Sequence, residues 1–371
     1  MRATFSTALR NSTKVVLINL LFVVGGLLLV EAGFRLIIDG YSDERAFRAT
    51  QPLPYREAPF FSAEFIDESF RQPGGWRPLA GTNAILPNDF KGKYFTVENG
   101  IRRTTDVPQE ATITIYLFGG STLYNSEVPD DHTVASYLQR ALVDAGFGRH
   151  RVVNFGVTSV STNQQIERLE AATIAAGDSV VFYDGVNDVL QGVLYGNVGA
   201  TIYGNDRARS FGQRLLYRLS KRSVAARYLL TRANANYEIA NLDARVAWAA
   251  DRFRTNLEKA ERAAREKGAS FSHFLQPTLY SLARRGDYEN ELLTFGFVPP
   301  QAEEAFVAAY PHLAEIVAAR SRHGFADFNL TAVFDGLDEP VYLDGWHINH
   351  RGNQVVAQHI LAGLVAAELV H

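Results

Sequence analysis

Five short apolar runs, at 112–118, 151–155, 179–184, 270–276 and 325–328, alternate with longer stretches that carry helical spacing. Apolar runs of this length, bounded by turn residues, read as buried strands. Helical patterns near 133–145 and 162–176 separate the first three runs. Two more, about 209–232 and 241–267, fill the long interval before the fourth. In the second of these, Leu242, Val246, Ala249, Phe253, Leu257 and Ala260 recur every three or four residues, which makes one apolar helix face. Gly268 then supplies a stop. Further helices are expected across 301–321 and 351–369. Strands alternating with helices build a parallel sheet covered on both faces, so the expected class is α/β.

The N-terminal segment has a different character. Residues 15–38 are mostly apolar, interrupted by Asn19, Glu31 and Arg35. As a helix this segment would span roughly 36 Å, enough for the hydrocarbon core of a bilayer. Glu31 and Arg35 lie four apart, on one face, where they can pair or snorkel. Arg2, Arg10 and Lys14 precede the span, and Asp39, Asp43 and Glu44 come after it. The positive-inside rule keeps such an N-terminus in the cytoplasm and exports the chain beyond the span. A cleaved signal peptide would need a small-x-small site, and Val30-Glu31-Ala32 is a poor one. A buried soluble helix would leave the charge asymmetry unexplained. The expectation is a cytoplasmic stretch at 1–14, a single-pass anchor at 15–38, and an ordered extension of loops and short strands at 39–110. The main domain then runs from 111 to 371 with a helical insertion at about 205–268. Pro52, Pro54, Pro59, Pro73, Pro78 and Pro87 give the extension its loop character.

Composition removes several classes of function. A net charge of −3 offers no electrostatic basis for nucleic-acid binding. The absence of cysteine excludes disulfides, a thiolate nucleophile and Cys-ligated zinc. It also suits an exported chain. His347 and His350 suggest metal ligation only weakly, since no third ligand stands out, and no cofactor is expected.

In open α/β sheets ligands bind beyond the C-terminal ends of the strands. Four polar groups fall there. Ser121 comes after the first strand in Phe118-Gly119-Gly120-Ser121-Thr122, and Asn154-Phe155-Gly156 closes the second. Gly185-Val186-Asn187-Asp188 comes after the third, and Asp344-Gly345-Trp346-His347 after the fifth. Singly, these are ordinary turn and cap residues. Together, in this order, they suit acyl transfer. Serine needs a base, which His347 can supply, and Asp344 can orient the imidazole. The backbone N–H groups of Ser121 and Gly156 and the side-chain amide of Asn187 are the natural donors to an oxyanion. His350 is a rival base, but its place before Arg351-Gly352 suits a cap or surface role. Tyr124, Asn125, Asp184 and Tyr280 are candidate pocket residues. Gln276-Pro277 ends the fourth strand on the same edge, and Trp346 can form a wall that holds the histidine loop still.

The blocks Gly-Gly-Ser-Thr (119–122), Asn-Phe-Gly (154–156), Gly-Val-Asn-Asp (185–188) and Asp-Gly-Trp-His (344–347) resemble those of the SGNH, or GDSL-type, hydrolases. The resemblance covers roughly 110–371. It maps the hallmark residues of that family onto Ser121, Gly156, Asn187 and His347, with Asp344 three residues before the histidine. It implies a flavodoxin-like three-layer α/β/α sandwich with a five-stranded parallel sheet. The first block reads Gly-Gly-Ser where many members have Gly-Asp-Ser, which places the chain in a divergent branch. With its anchor, the chain is similar to bacterial members found with envelope polysaccharide systems. That likeness implies an inner-membrane protein whose catalytic domain is periplasmic. Three functions stay open. One is an esterase removing acyl groups, acetyl among them, from an envelope glycan or lipid. Another is a carbohydrate O-acyltransferase using the same residues. The third is an inactive envelope scaffold docking through the helical insertion.

Overall fold

The computed structural model describes residues 2–37, 50, 52–71, 75–196, 223, 225, 239–293 and 301–371. The chain divides into two compact units, one made of Met1–Tyr41 with Asp206–Tyr237 and the other of Ser42–Asn205 with Glu238–His371.

The first unit contains helix α1, Arg2–Ile37, which starts well before the apolar segment. Its stretch Ile18–Arg35 has a mean hydropathy of 1.7 and buries none of its residues. A helix of this length and apolarity near an N-terminus fits a membrane span or a signal sequence. Leu20, Leu21, Phe22 and Leu29 all stand exposed. Glu31 pairs with Arg35 at 2.8 Å and also accepts hydrogen bonds from the Ser223 hydroxyl and the Ala225 N–H. The helix expected near 209–232 lies outside the described residues.

The second unit is built on an eight-stranded sheet rather than the five-stranded one expected. The chain enters it through helix α2 (Ala63–Arg71) and five short strands: β1 (Trp76–Pro78), β2 (Ile85–Pro87), β3 (Phe90–Lys91), β4 (Thr96–Glu98) and β5 (Ile101–Arg102). The anticipated parallel strands come next as β6 (Ile113–Gly119), β7 (His150–Gly156), β8 (Ser179–Asp184), β9 (Ser270–Leu275) and β10 (Asp327–Asn329). The order is β10-β9-β8-β6-β7-β5-β4-β3, with β1 and β2 forming a separate hairpin. Numbered from β6, the parallel strands run 2-1-3-4-5, the order of a doubly wound sheet. The three extra strands are antiparallel, and β5 joins β7 through Arg102 opposite Asn154. Short strands are expected in this extension, but runs of two or three residues are too short to show from the sequence that three of them join the main sheet.

Alternation along the strands feeds two apolar layers. Ile115 and Leu117 of β6 pack with Val134, Leu138 and Leu142 of helix α3 (Val134–Asp144). Val356, Ile360 and Leu364 of the last helix (His350–Ala366) belong to the same cluster. Phe118 of β6, with Val180 and Phe182 of β8, faces the other way, onto Ile166 and Leu169 of helix α4 (Thr162–Ala171). Ala260 and Ala264 of helix α5 (Leu242–Glu266) complete that layer. α4 stops at Ala171, five residues short of the expected end. Helix α6 (Ala302–Arg322) packs its Ala305, Phe306, Ala309 and Leu313 against α5, and the His350–Ala366 helix is α7. Every residue of β8 is buried, as a parallel strand covered on both faces requires.

Candidate active site

The parallel register brings the block ends together. Gly119 lies opposite Gly156 on one side and Tyr183 on the other. The Ser121 block therefore sits between the second and third blocks, at the switch point of the sheet.

Ser121 is the first residue of a single helical turn, Ser121–Tyr124, entered through Gly120. A serine there is raised off the strand end, and its backbone N–H is one of the unpaired donors of a helix start. Its Oγ lies 2.8 Å from Nε2 of His347, 226 residues further along the chain. The opposite ring nitrogen, Nδ1, lies 2.6 Å from Oδ2 of Asp344. The other carboxylate oxygen, Oδ1, accepts the backbone N–H groups of Trp346 at 2.9 Å and His347 at 2.7 Å. Asp344 is buried. Burial pushes its carboxyl up, but the charge of His347 and the hydrogen bonds from His347 and Trp346 prevail and hold it below the ordinary carboxylate value. A carboxylate held this way favours the tautomer with the proton on Nδ1, in which Nε2 is the acceptor that faces the Ser121 hydroxyl.

The three expected oxyanion donors differ in their state. Asn187, on the helical turn Val186–Val189, lays its side-chain amide nitrogen directly over Gly120, where any Cβ would overlap it. The amide thus comes to rest one residue from Ser121. Gly156 also sits where a side chain cannot go, since a Cβ there would be 2.8 Å from the carbonyl carbon of Leu123. Its N–H donates to Oδ1 of Asn154 at 2.8 Å, so it serves an oxyanion only by sharing that bond.

The expected pocket residues are displaced from that role. Tyr124 is buried, with its ring against Trp76 and beside the Arg102 guanidinium. Asn125 is buried in a left-handed turn (φ 55°), bonding the Thr122 carbonyl, Asn353 and the Val134 N–H. It ties the turn down instead of facing a cleft. Asp184 lies inside the sheet, 3.0 Å from Nε2 of the fully buried His273. Tyr280 stacks on Phe306 at 5.0 Å, with its hydroxyl beneath Gly345. It underpins the Asp344–His347 loop. Trp346 is half-buried, stacks on the same Phe306 at 5.7 Å, and stands 6.1 Å from the His347 ring.

His350, the rival base, packs its ring edge-to-face on Phe60 and near His132. Burial depresses its pKa to about 4. Asn349, not His350, caps α7 by accepting the Gly352 N–H. Among the described residues no group of three or more His, Cys, Asp or Glu side chains is arranged to hold a metal.

Sequence reading overlooked Arg102. Fully buried in β5, it donates to Asp130 at 2.7 Å and to the carbonyls of Tyr124, Asn125 and Val128. The extension thereby braces the segment just after Ser121. One arginine of the pair Arg102-Arg103 in a loop-like extension gives no sequence signal for such a role.

No family profile and no curated protein matches the sequence. Solved structures do resemble it. A member of the lipolytic G-D-S-L family from Veillonella parvula is 14% identical, with a TM-score of 0.39 over 68% of this chain and 97% of its own. The structure of TesA is 16% identical, with a TM-score of 0.38 over 68% of this chain and 99% of its own. An acetyl xylan esterase, AlAXEase, is 12% identical, with a TM-score of 0.35 over 68% of this chain and all of its own. The chemistry open to the site rests on its own geometry.

Proposed function

We propose that this chain is a membrane-anchored serine esterase that hydrolyses acyl esters, acetyl among them, on an envelope glycan or lipid. The observation that carries the proposal is the continuous relay from Ser121 Oγ through His347 to Asp344, at 2.8 and 2.6 Å. In the first step Ser121 Oγ bonds to the acyl carbon while its proton passes to His347 Nε2. The tetrahedral oxyanion draws on the Ser121 N–H and the Asn187 amide, with Gly156 sharing its bond to Asn154. His347 then protonates the departing sugar or glycerol oxygen, and water repeats the sequence on the acyl-enzyme. Anchoring is supported by the exposed apolar helix Ile18–Arg35, and export by the basic residues Arg2, Arg10 and Lys14 ahead of it.

The test treats the detergent-solubilised full chain with a fluorophosphonate probe, with Ser121→Ala and His347→Ala alongside. Labelling of the wild type at Ser121, lost in both variants, is the expected result. Equal labelling of Ser121→Ala, or none of a folded wild type, would overturn the proposal.

A further inference from the structure

The turn that carries Ser121 is held from both sides by buried carboxamides. On the β7 side, Asn154 donates to the Leu123 carbonyl at 3.0 Å and accepts the Gly156 N–H at 2.8 Å. On the β9 side, Gln276 donates through Nε2 to the Thr122 hydroxyl and accepts the Val186 N–H on Oε1 at 3.2 Å. The Val186 N–H can only donate, which settles which end of the Gln276 amide is oxygen. Gln276 is itself pinned by its backbone, whose N–H bonds the Asp184 carbonyl at 2.9 Å.

We infer that Gln276 is a positioning residue, a buried cross-link between Thr122 and Val186 that sets the distance from Ser121 to the Asn187 amide. Thr122 comes directly after the nucleophile and Val186 directly before Asn187, so each bond ends one residue from a reacting group. The two turns come from different strands, and nothing covalent holds them in register. Gly120 leaves no side chain to wedge between them. Gln276 is 1% exposed and Thr122 2%, so neither is placed to touch substrate. The inference rests on the reading of Ser121 as nucleophile and Asn187 as oxyanion donor.

The prediction is a loss in turnover without a loss in binding. Gln276→Met keeps the side chain's length and removes both bonds; Thr122→Val keeps its shape and removes one. With p-nitrophenyl acetate, each should lower kcat by about 10²-fold, the usual effect of misplacing a catalytic group by about 1 Å, at nearly constant KM. Combining the two should cost no more than Gln276→Met alone, because both break the same link. Thr122→Ser, which keeps the hydroxyl, should restore most of the rate. Urea unfolding of each variant identifies those that fold. If Gln276→Met does not fold, the near-isosteric Thr122→Val, with its Thr122→Ser rescue, carries the test. Folded variants with wild-type kcat, or single effects that multiply, would overturn the inference while an active wild type leaves the esterase reading standing. A folded but inert wild type, unlabelled by fluorophosphonate, would overturn both.

Discussion

The side-chain amide of Asn187 occupies the space that a Cβ on Gly120 would need. The two residues lie on different strand ends, and their close approach puts a hydrogen-bond donor beside Ser121. It also accounts for Gly-Gly-Ser here, since any larger residue at 120 would move Asn187. The backbone of Gly120, with φ −83°, is open to other residues, so the constraint is steric contact and not conformation. Gly120→Ala should fold and should lose about 10²-fold in ester turnover, comparable to removing one oxyanion donor. Measured kcat at unchanged unfolding midpoint checks it, and an Ala variant with full activity would refute the role given to Asn187.

Asp344 holds the His347 ring by Nδ1 and the loop by two backbone N–H groups. Asp344→Asn offers an amide of the same shape that can present its NH₂ to Nδ1 and stabilise the wrong tautomer. Turnover should fall by about 10⁴-fold, as in other triads that lose the acid. Fluorophosphonate labelling rates, which report activated serine directly, should fall in parallel.

His273 should make stability depend on pH. Burial lowers its pKa from 6.5 to about 4, against the opposing pull of the Asp327 charge. Between those values the unfolded chain binds a proton that the folded one does not, so stability falls as pH drops through that window. Above it the contribution is fully present. Asp184 and Asp188, which share this interior with His273, titrate in both proteins under comparison. His273→Gln removes the group, so its urea midpoint should fall less than that of the wild type between about pH 7 and about pH 5. Parallel profiles would show that His273 is protonated in the fold.

Arg102 and Asp130 form a buried ion pair, 2.7 Å apart, behind the turn that carries Ser121. Arg102→Ala leaves the buried Asp130 carboxylate with the Thr96 N–H but no countercharge and takes a donor from three backbone carbonyls, and should cost about 3–5 kcal/mol of stability. Chemical denaturation measures the loss. A cost under about 1 kcal/mol, the range of exposed pairs, would mean that the pair is solvated in solution.

The apolar helix gives a fourth kind of readout. If Ile18–Arg35 spans a bilayer, the full chain should stay in the membrane pellet after a carbonate wash. Release into the supernatant, with a mature N-terminus near Gly33, would identify a cleaved signal instead.

Much of this architecture was legible because it is local. The apolar face of α5, with Val246, Ala249, Phe253, Leu257 and Ala260, keeps a helical period that can be counted along the chain. Three of the four blocks stand at strand ends, where glycine and asparagine mark turns, and the fourth, Asp344–His347, lies in the loop between β10 and α7. Short strands are expected in the extension, but that those at 90–91 and 101–102 join the main sheet is not legible, for the opposite reason. A two-residue strand exists only because a neighbour pairs with it, as Arg102 does with Asn154. Tyr124, Asn125 and Asp184 were placed on a cleft by their nearness in sequence to the site. A helical turn rotates each residue by about 100°, and strand residues alternate, so sequence neighbours of a catalytic group face inward as often as outward.

The sequence by itself determined the alternation of the five parallel strands with helices, the apolar N-terminal helix and the chemistry available at each block, because these depend on residue type and short-range spacing. Only the tertiary structure decided that Ser121 and His347, 226 residues apart, meet at 2.8 Å. It also decided that Asn187 lies over Gly120 and that Gln276 joins two turns from separate strands. Those distances depend on strand register and on packing between layers, which no local pattern encodes.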